Sequence, residues 1–239
     1  MAIIVGNRIY TDIKRPDREL IEKFRGIPSS NIGDMMNRLY CMNGSMKAYT
    51  NKWLLGPAFT VKVPEGDNVF LHLAMELAQP GDIIVVDGAG CTTRSLMGEM
   101  MFTYSQSKGI GGYVIDGAIR DVYSLEQLNM PVYAKAVTPQ GPLKNGPGEI
   151  NVPVCCGGQV VMPGDILVGD GDGICVIRKE EAETVYEAAR KKMEKEKETL
   201  KVYQGGMPEK TGHASAYMEI AAKLGTFFDS DLQKPIAGK

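Results

Sequence analysis

Two short runs of apolar residues constrain the fold of this 239-residue chain more than any other feature. Residues 83–86 (Ile-Ile-Val-Val) and 112–115 (Gly-Tyr-Val-Ile) are apolar without alternation, a pattern typical of strands that are covered on both faces. Between them, residues 97–108 favour a helix. A strand, a helix and a second strand within about thirty residues predict a parallel β-α-β unit.

Other patterns along the chain complete a mixed α and β fold. Residues 17–25 and 30–41 are predicted as two short helices that flank the domain at its N-terminal end, and residues 67–78 as a third helix. Residues 180–204 are predicted as a long C-terminal helix, because their acidic residues come early and their basic residues later, as the helix dipole favours. Strands are predicted at residues 58–63, 132–137, 150–155, 158–162, 165–168 and 174–178, and the later ones are expected to pair antiparallel.

The domain organisation follows from the chain length and from one pair of glycines. A chain of 239 residues can bury a substantial core without disulfides or metal ions. We predict one α/β domain over residues 1–205 and a tail over residues 206–239, beginning within Gly205-Gly206. The apolar side chains of the tail predict packing on another subunit, and docking on the tail's own domain is an equal alternative.

Composition excludes several classes of function. Lys and Arg number 27 against 29 Asp and Glu, so no broad basic field is available to bind nucleic acid. With two histidines in the chain, a zinc site of three imidazoles is excluded. Five cysteines without C-x-x-C spacing favour reduced thiols over a disulfide framework. The N-terminal apolar run is too short for a signal peptide and no segment is long enough to span a membrane, so a cytoplasmic protein is predicted.

Arg120 and Asp121 are the strongest candidates for chemistry. They end the segment Gly112-Tyr-Val-Ile-Asp-Gly-Ala-Ile-Arg-Asp121, in which an apolar run and a glycine turn precede the possible start of a helix. Arginine binds a carboxylate through two parallel hydrogen bonds, and aspartate ligates Mg²⁺ or Mn²⁺. The pair therefore suits an oxygen-rich substrate held between a guanidinium and a metal ion. The alternative is a surface ion pair that opens a helix.

Two glycine-containing segments lie near the predicted strand ends. Asp87-Gly-Ala-Gly-Cys91 is predicted as a loop, but it lacks the third glycine of a dinucleotide fingerprint, so a Rossmann or methyltransferase site is a weak interpretation. Backbone amides of Gly98, Glu99 and Met100, at the start of the next helix, are expected to bind a carboxylate instead. Glu99 is then expected to face the same pocket as the Arg-Asp pair, although it also suits a helix as a first-turn acid.

Over residues 28–200 the chain resembles the proteins related to regulator of ribonuclease E activity A. The catalytic members of that family are divalent-metal-dependent 4-hydroxy-4-methyl-2-oxoglutarate and 4-carboxy-4-hydroxy-2-oxoadipate aldolases. Several sequence blocks in the family's order carry the resemblance beside the segment that ends in Asp121. They are Gly56-Pro-Ala-Phe-Thr-Val, Pro80-Gly-Asp-Ile-Ile-Val-Val-Asp-Gly-Ala-Gly, Val137-Thr-Pro-Gln-Gly-Pro, Gly146-Pro-Gly-Glu-Ile-Asn-Val-Pro-Val and Pro163-Gly-Asp-Ile-Leu-Val.

The resemblance implies roles for individual residues. The aldolases share a motif of Asp, twenty intervening residues and Arg-Asp, and here Glu99, Arg120 and Asp121 occupy its positions with a first acid longer by one methylene. By this likeness Asp121 is the direct ligand of Mg²⁺, Mn²⁺ or another divalent metal, and Arg120 holds the oxygens of the keto acid. The amides around Gly98 and Met100 then bind the substrate carboxylate.

The resemblance also implies a wider pocket, a fold and an assembly. Asn68, His72 and Asp87 lie in blocks that resemble the family's pocket lining, although His72 is equally well explained as a hydrogen-bonded core imidazole. The implied fold is an α/β/β sandwich of the swivelling-domain type with a mixed sheet. The implied assembly is a homotrimer or a homohexamer with sites near the subunit boundaries.

The predicted activity is a metal-dependent aldolase that releases pyruvate from a 4-hydroxy-2-keto acid, with oxaloacetate decarboxylation as a side activity. Cleavage of a bond beta to a ketone generates an enolate, which a Schiff base or a Lewis acid must stabilise, and no lysine is singled out by the sequence. A metal-bound water ordered by Glu99 or Asp87 is the expected base. Two alternatives are a non-catalytic regulator that binds an RNA-degradation enzyme and, third, an S-adenosylmethionine-dependent methyltransferase.

Overall fold

The computed structural model describes residues 5–205 and 215–225. The chain divides into two compact units, Met1–Met193 and Glu194–Lys239. All the described strands belong to the first unit. They are β1 (Lys47–Ala48), β2 (Leu54–Lys62), β3 (Ile83–Met97), β4 (Gly112–Ile119), β5 (Val132–Val137), β6 (Glu149–Ile150), β7 (Val154–Cys156), β8 (Gln159–Val161), β9 (Ile166–Asp170) and β10 (Gly173–Ile177).

An eight-stranded mixed sheet forms the centre of the first unit. Its order is β1-β5-β4-β3-β2-β9-β10, with β6 also paired to β2. The central strands β2, β3, β4 and β5 are parallel, whereas β1, β6, β9 and β10 each pair antiparallel with a neighbour. Strands β7 and β8 form a separate antiparallel pair. This mixed sheet confirms the predicted α/β class, including the antiparallel pairing of the later strands.

The described residues form six α-helices. They are α1 (Arg18–Glu22), α2 (Ser29–Met35), α3 (Val69–Leu77), α4 (Glu99–Ser107), α5 (Ala182–Gln204) and, in the second unit, α6 (Ser215–Lys223). Strand β3, helix α4 and parallel strand β4 are the predicted β-α-β unit. The parallel β3–β4 ladder and the buried edge-to-face contact of Phe102 in α4 with Tyr113 in β4, 5.5 Å between ring centroids, confirm it.

Alternating side chains divide the first unit into layers. Ile84 and Val86 of β3 face a core shared with α3 and α4, whereas Ile83 and Val85 face a second core shared with β7, β9 and β10. A third core lies between the outer face of the β9–β10 hairpin and helices α1, α2 and α5. The resulting arrangement of helices, sheet and second β layer agrees with the expected α/β/β sandwich.

The structure corrects the predicted end of the first apolar strand. The segment Asp87-Gly-Ala-Gly-Cys91 is part of β3, which continues to Met97, and is not a loop in front of a helix. The strand stays paired with β4 through register shifts after Asp87, Cys91 and Ser95. Left-handed backbone at Ala89 (φ 56°) and Gly90 (φ 69°) accommodates the first bulge. Because a bulged strand loses its regular spacing, its glycines resemble a loop in the sequence.

Other predicted boundaries were wrong for local reasons. The second N-terminal helix ends at Met35 and not near residue 41, because Asn37 (φ 55°) and Arg38 (φ 63°) are left-handed and cannot continue a right-handed helix. The strand predicted at residues 150–155 is divided into β6 and β7, with left-handed Asn151 and then Pro153, which has no N–H, between them. By contrast, the end of the long helix α5 at Gln204 was predicted correctly.

Most of the predicted tail lies outside the described residues. Of residues 206–239, the described part is 215–225, in which α6 spans Ser215–Lys223. The prediction that the tail packs on another subunit therefore remains a prediction. In the described ranges, no helix combines the length and the apolar character that crossing a membrane requires.

Candidate active site at the carboxyl end of β4

Arg120 and Asp121 leave the carboxyl end of β4 in a tight, fixed turn. The Arg120 N–H donates to Met97 O at 2.9 Å, which ties this turn to the end of β3. Asp121 adopts the left-handed conformation (φ 59°, ψ 34°), which aspartate tolerates better than most residues, and a 3-10 helix follows over Val122–Gln127. Ser124 secures the turn because its N–H and hydroxyl both donate to Asp121 O, at 3.0 and 2.8 Å.

The two side chains face each other and remain accessible to solvent. Arg120 Nε lies 3.5 Å from Asp121 Oδ2, and the side chains are 44% and 34% exposed. A bidentate ion pair would occupy both groups, but this contact is long and involves one nitrogen and one oxygen. Each group therefore keeps capacity for a ligand.

Gly98 brings the start of α4 against the same two side chains. This glycine is buried and caps α4, and the following Glu99 N–H donates to Asp121 Oδ2 at 3.2 Å. A Cβ at position 98 would collide with the Asp121 carboxylate and lie 3.0 Å from Arg120 Nε. The N-terminal end of a helix carries partial positive charge, so it stabilises the Asp121 carboxylate. The structure thus brings together Gly98, Glu99, Arg120 and Asp121, as the sequence predicted.

A loop over residues 138–146 borders the site from β5. Gly141 lies against the guanidinium, because a Cβ at this glycine would be 3.2 Å from Arg120 Nη1. Arg94 Nη1 donates to Gly141 O at 3.1 Å, and the N–H and hydroxyl of Ser95 both donate to Gln140 O. These bonds hold the loop beside Arg120.

Asp67 and Asn68 anchor the loop and the β3–α4 junction. The buried Asp67 carboxylate accepts from the N–H groups of Asn145 (2.6 Å) and Gly146 (3.0 Å). It also accepts from the N–H of Val69, two residues further along the chain. Buried Asn68 donates from Nδ2 to Leu96 O at 3.0 Å. Asn68 therefore lies behind the junction that contains Gly98, and its buried Oδ1 has no hydrogen-bond partner in the described part of the chain.

Replacing Asp67 with asparagine should release the 138–146 loop. An amide nitrogen facing the Asn145 and Gly146 N–H groups would leave these donors without an acceptor beside a buried side chain, and we expect the free energy of unfolding to fall by about 1–3 kcal/mol. Urea denaturation measures this change, and protease cleavage within the loop should become faster. Asp172→Asn, in the exposed β9–β10 turn, is the control and should change the free energy by less than about 0.5 kcal/mol. An Asp67→Asn protein with unchanged stability would contradict the anchoring role.

Asp87 lies in a different polar cluster. Its carboxylate accepts from Lys62 Nζ at 2.7 Å, and in the sheet it stands opposite Asp116, which pairs with Lys135 at 3.1 Å. No contact between Asp87 and either Arg120 or Asp121 occurs within residues 5–205. The structure therefore does not join Asp87 to the Arg-Asp pair.

His72 and Met100 lie on a shallow groove between α3 and α4. Both side chains are exposed and border an open groove of about 570 Å³. The alternative that His72 is a core imidazole is therefore wrong. Partial burial lowers the pKa of His72 below its usual value, and the charge of Lys144 lowers it further. The imidazole is accordingly neutral at physiological pH.

Sequence reasoning missed Asp67 and the 138–146 loop. The available signal was the Gly-Asp-Asn triplet at residues 66–68 and the density of glycine and proline after Val137. Gly66 has φ 72°, and its carbonyl accepts the N–H of Leu143 at 2.7 Å. Their turn-forming residues could have identified both segments as structured loops. They could not have shown that the two loops pair with each other.

The chemistry of Asp121 fits a hard divalent cation. Its hydrogen bond and ion contact both use Oδ2, so Oδ1 is without a hydrogen-bond partner among the described residues. The described parts of the chain contain no group of three or more acidic, histidine or cysteine side chains that could hold a metal. Mg²⁺ commonly binds proteins through one or two carboxylates and keeps several waters, so a single accessible aspartate is compatible with this ion.

Comparisons with known proteins give the family of this chain. A family model described as RraA-like (Aldolase/RraA) matches residues 29–176. A Halalkalibacterium halodurans protein provisionally named 4-hydroxy-4-methyl-2-oxoglutarate aldolase is 41% identical over 175 residues, which cover 73% of this chain and 83% of that protein.

Solved structures share the fold. Streptomyces coelicolor RraAS2, described as an unusual member of the RNase ES inhibitor RraA family, has a TM-score of 0.72 at 28% identity and covers 79% of this chain and 99% of its own. A Geobacillus kaustophilus protein described as an S-adenosylmethionine:2-dimethylmenaquinone methyltransferase has a TM-score of 0.59 at 29% identity, over 63% of this chain and 94% of its own.

Proposed function

This chain belongs to the RraA-like family, and we propose that it is a divalent-metal-dependent aldolase that releases pyruvate from a 4-hydroxy-2-keto acid. The carrying observation is the convergence of the Arg120 guanidinium, the Asp121 carboxylate and the Glu99 amide within one solvent-accessible site. The aldolase-named relative supports the reaction class. The proposed substrates are of the 4-hydroxy-4-methyl-2-oxoglutarate or 4-carboxy-4-hydroxy-2-oxoadipate type.

Each residue of the site has a proposed role. Asp121 would hold Mg²⁺ or Mn²⁺, and the bound ion would supply a Lewis acid for the 2-keto group. Arg120 would bind substrate oxygens with its planar guanidinium and stabilise the negative charge that develops as the C3–C4 bond breaks. Amides of Gly98 and Met100 at the start of α4 would bind the C1 carboxylate, because the Glu99 N–H between them already donates to Asp121 Oδ2.

Glu99 is the better of the two predicted bases. The Glu99 side chain is exposed and its backbone N–H donates to Asp121, whereas the Asp87 carboxylate is buried and bound by Lys62. In the proposed reaction the C4 hydroxyl loses its proton to Glu99, directly or through water, and C4 becomes a carbonyl. The electron pair of the broken bond stays with the C3 fragment, which takes up a proton to give pyruvate. Oxaloacetate decarboxylation breaks the corresponding bond, so it is the proposed side activity.

Pyruvate release in the presence and absence of a chelator tests this proposal. Purified protein, substrate and Mg²⁺ are coupled to lactate dehydrogenase and NADH, and pyruvate formation is followed by absorbance. EDTA should lower the rate by at least about 100-fold, because the charge on the 2-keto oxygen would lose its principal stabiliser, and excess Mg²⁺ or Mn²⁺ should restore it. An undiminished rate in excess EDTA would exclude the metal-dependent reaction.

A homotrimer or homohexamer is the proposed assembly. The apolar groove between α3 and α4 lies beside the site and includes Met100, which is 84% exposed in the single chain. Leu73 and Tyr104 on the same groove are about two-fifths exposed, at 40% and 41%. Such clustered exposed apolar side chains support subunit packing next to the site.

The solved neighbours motivate a second candidate function. RraAS2 is described as belonging to a family of RNase ES inhibitors, so this chain could act as a non-catalytic regulator that binds an RNA-degradation enzyme. Retention of an accessible Arg-Asp pair favours the aldolase. Capture of a ribonuclease by a protein that turns over no 4-hydroxy-2-keto acid would favour the regulator. The methyltransferase alternative predicts S-adenosylmethionine binding by calorimetry, and we expect none.

A further inference from the structure

Cys41 and Cys175 face each other at the edge of the sheet. They form an isolated antiparallel bridge, and their Sγ atoms are 3.7 Å apart. Cys41 and Cys175 exchange no backbone hydrogen bonds with each other, because the bonds run between the residues that flank them. In such a non-hydrogen-bonded pair, opposing side chains approach most closely. These bonds run from Met42 N to Ile174 O and from Val176 N to Tyr40 O, both 2.9 Å.

The backbone around the pair is suited to a covalent link. Opposed residues of a non-hydrogen-bonded pair have Cα atoms about 4.5 Å apart, which is within the range of roughly 4.4–6.8 Å found for disulfides. The sulfur atoms could therefore join by side-chain rotation, with no need to separate the paired segments.

Helix α2 leaves space for both sulfur atoms. A Cβ at Gly33 would lie 2.7 Å from Cys41 Sγ and 3.6 Å from Cys175 Sγ, so a glycine is required above the pair. Ser29 of the same helix accepts from Cys175 Sγ at 3.2 Å through its carbonyl. Both sulfurs thus lie against α2, next to β10.

The two thiols differ in accessibility. Cys41 is exposed, whereas Cys175 is 2% exposed, and burial raises the pKa of Cys175 above its usual value. A soluble reagent therefore meets Cys41 first, and Cys175 can react only with a sulfur already positioned beside it.

We propose that Cys41 and Cys175 are a redox-active pair that low-molecular-weight disulfides oxidise to an intramolecular disulfide. The Cys41 thiolate attacks one sulfur of the reagent, forms a mixed disulfide and releases the first thiol of the reagent. Cys175 gives up its proton and attacks the Cys41 sulfur, which releases the second thiol. Two protein thiols are oxidised by two electrons in total, and one small disulfide is reduced to two thiols.

The link would connect distant parts of the chain. Cys41 and Cys175 are 134 positions apart, and the bond would join the segment after α2 to the edge strand β10. A cross-link over so long a loop restricts the unfolded chain strongly, so we expect the oxidised protein to melt about 5–10 °C higher than the reduced protein.

Oxidised glutathione provides a direct test on the full chain. After treatment and removal of reagent, peptide mapping of the unfolded protein should join the peptides of Cys41 and Cys175, and the buried Cys91 and Cys156 should remain free thiols. Cys175→Ser should stop the reaction after its first step and retain a glutathione adduct on Cys41. Exposed Cys155 supplies the matched control, because Cys155→Ser should still form the Cys41–Cys175 link.

Several results would overturn the proposal. These are five unreacted thiols, a Cys41 adduct that persists in the unsubstituted protein, or a disulfide that joins Cys155 or a second chain instead. Cys41→Ala changes an exposed side chain and should leave the protein folded, so persistence of the loss of the Cys175 thiol or of the melting shift in this variant would also exclude the pair.

Discussion

Asp121→Asn is expected to lower kcat/KM for pyruvate release by at least about 10³-fold, because it removes the proposed ligand charge from the site. Asparagine tolerates the left-handed backbone of position 121 and retains an oxygen that can accept the Glu99 N–H. The substitution therefore isolates the carboxylate charge more cleanly than alanine, which would add backbone strain.

Two further measurements make this result specific. Circular dichroism and the melting temperature should stay near those of the unsubstituted protein, and Mn²⁺ binding followed by electron paramagnetic resonance should be lost. Glu126→Gln in the following 3-10 helix removes an exposed carboxylate nearby and should leave kcat/KM within about twofold, because its charge is screened by solvent. Retention of both activity and Mn²⁺ binding in Asp121→Asn would exclude Asp121 as the ligand.

Gly98→Ala should lower kcat/KM by about 10²-fold, since a displacement of reacting groups by about 1 Å can cost that factor. Gly98 has φ −149° and ψ −173°, an extended conformation that alanine adopts without strain. Its new methyl group would nevertheless collide with the Asp121 carboxylate and contact the Arg120 side chain. The loss should therefore come from displacement of these two groups.

Gly44→Ala supplies the matched control, because nothing lies within 4 Å of a Cβ at Gly44. It should leave kcat/KM within about twofold, as expected for a surface substitution without contacts. Full activity in Gly98→Ala would show that close approach of α4 to the Arg-Asp pair is unnecessary for the reaction. A large loss in both variants would indicate a general sensitivity to glycine replacement.

The sequence predicts the centre of this fold because its periodicity is strong there. Buried runs at residues 83–86 and 112–115 and the intervening helix all appear in the structure. The extension of β3 to Met97 could not be predicted, because register shifts after Asp87 break the strand pattern. The strand continues because it stays paired with β4, and such tertiary contacts are not visible in the local sequence pattern.

Part of the candidate site could likewise be predicted from the sequence, and part could not. Adjacency of Glu99 to Asp121 could be expected, since the carboxyl ends of neighbouring parallel strands meet at one edge of a sheet. The contribution of Asp67 could not, because its carboxylate binds amides 78 and 79 positions along the chain. Hydrogen bonds from backbone N–H groups leave no residue-type signature in the donating segment.

The contact between Arg120 and Asp121 has a thermodynamic consequence for the proposed reaction. Opposite charges 3.5 Å apart partly neutralise each other while no ligand is bound. A cation alone meets a neighbouring guanidinium that repels it, and an anion alone meets a repelling carboxylate. When both bind, the cation offsets the repulsion between the anion and the Asp121 carboxylate, and the anion offsets the repulsion between the cation and the Arg120 guanidinium. Metal and keto acid should therefore raise each other's affinity by the same factor, as reciprocal linkage requires.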